Sequence, residues 1–158
     1  MSLEIRPKIA ISSCLVGHEV RFDGGHKQFL YATESLATYF DFMPLCPEVA
    51  IGLGIPRPTI RLIKGENGTT EAVSNADRTL RYTEALSAYG RKMAPALHEV
   101  SGYILKKDSP SCGMARVKVY QNNDGPPDRT GVGIYANEII KAYPNLPIEE
   151  EGRLNDTR

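Results

Sequence analysis

An α/β domain built on a mainly parallel sheet is what this sequence predicts, and three observations carry the prediction. Short apolar runs at Lys8 to Ser13, Phe42 to Leu45 and Tyr103 to Leu105 have the length and composition of strands buried on both faces. Segments with helical periodicity lie between them, as the crossover connections of parallel strands require. Two further β-type runs, Thr59 to Lys64 and Thr69 to Val73, flank Gly65-Glu66-Asn67-Gly68 and read as a β-hairpin, placed here as a small peripheral insertion.

Taken in order, the first strand closes at Cys14, and Arg21-Phe22-Asp23-Gly24-Gly25-His26 follows as a turn. Phe29 to Phe40 reads as a helix returning the chain to the second strand, which runs into Cys46-Pro47-Glu48. Proline suits the first position of a helix, so Cys46 is the expected N-cap, with its thiol beside unpaired N–H groups that favour ionisation. Gly52 to Pro58 carries two prolines and is expected to be a rigid loop. Ser74 and Asn75 are good helix caps ahead of a stripe formed by Tyr82, Leu86, Tyr89, Met93, Leu97 and Val100, which predicts a long core helix loosened near Pro95. The third strand, a cysteine loop, a possible strand at Arg116 to Tyr120, a surface loop at Asn122 to Asp128 and a helix over Gly133 to Ala142 complete the domain.

A chain of 158 residues is long enough for one domain with a pre-formed site. Lys plus Arg and Asp plus Glu both number 19, which argues against the positive field of a nucleic-acid binder and for a small, neutral ligand. No apolar stretch approaches a membrane span and no secretory signal opens the chain, so a cytoplasmic location is expected. An odd number of widely spaced cysteines does not fit a disulfide framework. Buried structural thiols, metal ligands and reactive nucleophiles remain as readings.

Position separates these readings. Cys14, Cys46 and Cys112 all lie in turns just past a strand, and open parallel sheets bind ligands outside the carboxyl ends of their strands. Structural zinc sites usually take four protein ligands and often use CxxC pairs, which are absent here. Three thiolates from separate loops suit an iron-sulfur cluster, and with three protein ligands in place of four one iron keeps an open, Lewis-acidic position.

Ser13-Cys14-Leu15-Val16-Gly17, Arg21-Phe22-Asp23-Gly24-Gly25, Cys46-Pro47-Glu48 through Gly54-Ile55-Pro56-Arg57-Pro58, and Lys107-Asp108-Ser109-Pro110-Ser111-Cys112-Gly113 together resemble the thiouracil desulfurases. The resemblance runs in order from about residue 8 to residue 143. It departs at Phe22, where a tyrosine is expected in many relatives. It implies a Rossmann-like, three-layer domain holding a 4Fe-4S cluster on Cys14, Cys46 and Cys112, and non-redox conversion of a thiolated uracil to uracil and sulfide. Glu48 is then the candidate general acid/base and Ser109 a second catalytic candidate, with Ser13, Asp23, Arg57, Asp108 and Ser111 as candidates for substrate binding. Arg57 reads more readily as an ion-pair brace. The desulfurase domain is expected over residues 1–145, and residues 146–158 as a tail or a linker towards a second domain. Two alternatives stay open: a metal-free transferase forming a persulfide on Cys46, and a non-catalytic metal-binding module.

Overall fold

The computed structural model describes residues 6–17, 34–55, 57–65, 68–121 and 125–154. Along the chain these form β1 (Lys8–Ser12), β2 (Asp41–Leu45), α1 (Pro47–Ala50), β3 (Ile60–Lys64), β4 (Thr70–Ser74) and α2 (Thr83–Met93). There follow β5 (Gly102–Leu105), β6 (Val117–Tyr120), β7 (Asp128–Gly131), α3 (Ile134–Ala142), β8 (Ile148–Glu150) and α4 (Glu151–Leu154).

The expected parallel sheet has the order β2-β1-β5-β8, with every neighbouring pair parallel. Its central strands, β5 and the inner part of β1, are apolar without alternation because both faces are covered. Ala10, Tyr103 and Leu105 face Leu97, Tyr135 and Ile139, while Ile11 and Ile104 pack with Leu15 and Leu36 on the opposite side.

The hairpin β3/β4 is present, and it is more than a peripheral insertion. β3 also pairs in parallel with β6, and β6 pairs antiparallel with β7, giving a second, mixed sheet of order β4-β3-β6-β7. Ile60, Leu62, Ala72, Val117 and Val119 form its core with Leu86 and Ile134. Because Leu86 lies on α2 and Ile134 on α3, while Tyr89 and Tyr135 of the same helices join the core of the parallel sheet, this helix pair ties the sheets together. The helices cross closely at Gly90, where an added Cβ would lie 2.6 Å from Glu138 Cβ.

Four expectations change in detail. Of the helix expected over 29–40, residues 29–33 lie outside the described residues, and the remainder holds a 3-10 turn at Leu36–Thr38. The long helix begins at Thr83 and not beside Ser74 and Asn75. Asn75 is drawn to Thr59, whose carbonyl accepts its backbone N–H at 2.9 Å. Pro95 ends α2 outright, and Ala94–Leu97 continues as a 3-10 turn, since proline has no N–H to extend an α-helical ladder. Residues Ile148–Glu150, expected in a tail, pair with β5 as the edge strand of the parallel sheet.

Candidate active site

Parallel pairing brings the carboxyl ends of β1, β2 and β5 side by side, and the chain turns sharply after each. After β1 comes the 3-10 turn Ser13–Val16, closed by Gly17 at φ 93°. After β2, Cys46 is the N-cap of α1 with Pro47 in its first turn, as expected. After β5 comes the loop from Lys106 to Arg116. The three turns enclose a cavity of about 220 Å³ lined by Cys14, Cys46 and Cys112, and by Glu48, Arg57, Ser13, Asp108, Ser109 and Ser111. Asp23, with the rest of its turn and with His18 and His26, lies outside the described residues. None of the three cysteines is in a disulfide.

The Cys112 loop is held mainly through its backbone. Ser109 Oγ accepts the N–H groups of Ser111 (3.2 Å) and Cys112 (3.0 Å), the local turn that a Ser-Pro-Ser sequence favours. From behind, the N–H groups at the start of α3 are donated to the loop: Gly133 to Gly113 O (2.7 Å), Ile134 to Pro110 O (3.0 Å) and Ala136 to Ser111 O (3.0 Å). Gly133 is required for this approach, because a Cβ there would lie 2.5 Å from the Ser111 carbonyl.

Glu48 is the meeting point of two loops. Arg57 Nε lies 3.1 Å from its Oε1, and Arg57 also donates to Gly54 O at 3.0 Å, so the rigid Gly-Pro loop is braced by an ion pair that is almost wholly buried on the arginine side. Ser111 Oγ donates to Glu48 Oε2 at 2.8 Å. Its only proton being used there, Ser111 accepts from Ser109 Oγ at 3.1 Å, giving a directed chain from Ser109 through Ser111 to Glu48.

For Cys46 the surroundings act against the ionisation that the sequence suggested. Burial pushes Cys46 above its ordinary value; the N–H groups of Val49 and Glu48 and the Arg57 charge oppose this, and the Glu48 carboxylate reinforces it. A four-residue helix offers too little dipole to prevail over desolvation. Cys112 is pushed up to about 12, again chiefly by burial, with the Ser12 hydroxyl opposing and the charges of Cys46, Glu48 and Cys14 adding.

Sequence reasoning missed Ser12, Thr59, Lys106 and Lys107, which also line the cavity. Ser12 Oγ accepts the Lys106 N–H at 3.0 Å, tying the end of β1 to the end of β5. Its position beside Ser13-Cys14 was the available signal. Among the described residues no three His, Cys, Asp or Glu side chains stand close enough together to hold a single metal ion, and no helix is long and apolar enough to cross a membrane.

Comparison with known proteins finds a relative and a solved structure that each cover nearly the whole chain. YbbK, an uncharacterised protein of Bacillus subtilis (strain 168), is 32% identical over 161 residues, spanning 94% of this chain and 98% of its own. Among solved structures, the 4Fe-4S-dependent thiouracil desulfidase TudS superposes with a TM-score of 0.69 at 25% identity, covering 95% of this chain and 94% of its own. The family model described as 2-thiouracil desulfurase matches residues 9–151. With residues 9–151 matched by that model, the chain belongs to the 2-thiouracil desulfurase family.

Proposed function

We propose that the protein is an enzyme that removes sulfur from a thiolated uracil, giving uracil and sulfide, with a 4Fe-4S cluster held by Cys14, Cys46 and Cys112. The observation that carries this reading is the convergence of three thiols, from three strand ends, on one cavity that also contains a carboxylate. The donor set fits such a group. Buried thiols that repel one another as anions need a strongly cationic centre to be deprotonated together, and thiolates are the ligands iron-sulfur clusters take. Bound there, the cluster would supply an open iron as a Lewis acid for the sulfur of a C=S group.

The chain's own residues supply the remaining chemistry. Overall, water adds oxygen at the ring carbon, the carbon–sulfur bond breaks, and the sulfur leaves as sulfide with no change in electron count. In this reading Glu48 takes a proton from the attacking water and returns it to the departing group. Ser111 fixes one carboxylate oxygen and Arg57 the other, so the acid/base group has a single orientation. Ser109, at the outer end of the hydroxyl chain, passes polarisation to Glu48 through Ser111. Ser13 and Asp108 contribute polar lining against the pyrimidine edge.

A metal-free persulfide mechanism would need Cys46 as a thiolate, whereas burial pushes this thiol above its ordinary value. Reducing thiols without disulfides suit the cytoplasm, the location we assign. The deciding experiment is anaerobic reconstitution followed by sulfide release from 2- and 4-thiouracil, alongside iron and acid-labile sulfide analysis. Turnover that needs iron supports the reading, and turnover by iron-free protein would sink it. Cys14→Ser is expected to leave a folded protein without activity; an unfolded variant would favour a purely structural metal.

A further inference from the structure

The segment after residue 147 reaches the site from the far side of the sheet. Glu150 ends β8 and Glu151 begins α4, and their carboxylates accept backbone N–H groups at both ends of the Cys112 loop. Glu151 Oε1 takes Lys107 N–H at 2.8 Å, and Glu150 Oε2 takes Met114 N–H at 2.9 Å. Lys106 Nζ closes on Glu151 Oε2 at 3.1 Å, with both side chains largely buried. Hydrogen bonds from N–H groups to carboxylates are about twice as strong as neutral ones.

These anchors sit at the loop's two strained points. Asp108, next to Lys107, has φ 63°, and Arg116, two residues past Met114, has φ 58°. Non-glycine residues in the left-handed region persist only where surrounding contacts over-determine them. The loop between these points carries Cys112, Ser109 and Ser111, so release at either end would let the backbone relax and carry the thiol with it.

We propose that Glu150 and Glu151 are positioning residues: adjacent carboxylates that clamp the ends of the Cys112 loop and hold its thiol in register with Cys14 and Cys46. The C-terminal strand is thereby a working part of the site. The inference deepens the desulfurase reading, but its test needs no metal, so the two can fail separately.

Iron-free protein is treated with iodoacetamide under native conditions, and the labelling rate of each cysteine is read by mass spectrometry. In the Glu150→Ala/Glu151→Ala variant, Cys112 is expected to label about tenfold faster or more, the loss expected for charged hydrogen bonds, with Cys14 within about twofold of wild type. Glu150→Gln/Glu151→Gln keeps acceptor oxygens at both positions and is expected to restore most of the protection. An unchanged Cys112 rate, a parallel rise at all three cysteines, or no rescue by glutamine would each overturn the proposal.

Discussion

Ser111 and Glu48, 63 residues apart in the chain, meet through a 2.8 Å hydrogen bond from the serine hydroxyl to the carboxylate, which joins the turn of Cys112 to the turn of Cys46. The bond leaves the carboxylate no rotational freedom, since Arg57 holds its other oxygen. Ser111→Ala should therefore lower turnover by about 10- to 100-fold, the loss expected for one hydrogen bond to a charged group, with KM for thiouracil little changed. Steady-state sulfide release against substrate concentration checks this. A KM effect without a kcat effect would instead make Ser111 a binding residue.

Glu48→Gln is isosteric and keeps one acceptor oxygen for Arg57, while its amide N–H can donate to Ser111 Oγ in place of the bond that Ser111 donates to the carboxylate, so iron content after reconstitution should match wild type. Turnover should fall by about 10²- to 10⁴-fold, the range for a lost general acid/base. Iron assay and sulfide release on the same preparation test both halves. Full activity would reject the acid/base role.

Metal-free protein should lose stability in alkali. The fold favours protonated Cys112, whose value moves from an ordinary 9.0 to about 12, so its stabilising contribution is complete below about pH 9 and disappears as the pH rises towards 12. Burial raises Cys46 in the same direction. Thermal melts of iron-free protein between pH 8 and 11 should show a falling Tm, with a shallower fall for Cys112→Ala. Some slope will remain, because burial also raises Tyr103 and Tyr135.

Those two tyrosines share a buried hydroxyl pair at 3.0 Å, and the Tyr135 ring also stacks on Tyr89 at a centroid distance of 5.4 Å. Tyr103→Phe strands the Tyr135 hydroxyl and should cost about 1–3 kcal/mol, whereas adding Tyr135→Phe should recover part of the loss. Chemical denaturation of the single and double variants tests this. Strictly additive losses would show that the pair is not coupled.

Much of this site could be read from sequence because its signals are local. An apolar run ending in a small-residue turn marks a strand end, and cysteine followed by proline marks a helix start, whatever lies elsewhere. The second sheet was less legible. β7 is Asp128-Arg129-Thr130-Gly131, largely exposed and without an apolar pattern, and it is a strand because the edge of β6 offers it backbone partners. β8 is equally charged and owes its form to β5. The ionisation of Cys46 was misjudged for a related reason: the helix start was visible in the sequence, but the burial that outweighs it is a tertiary quantity. The hydrogen bond from Ser111 to Glu48 had no local signal at all.

The position of β8 bears on biosynthesis. Translation delivers the three sulfur atoms to the growing polypeptide well before Glu150 and Glu151, which come last among the groups that shape the pocket. A nascent chain halted at residue 145 already contains every thiol and no clamp. On the proposed roles of Glu150 and Glu151, iron delivered at that stage would meet a third sulfur whose loop is not yet fastened, so the pocket is complete only once β8 has paired with β5.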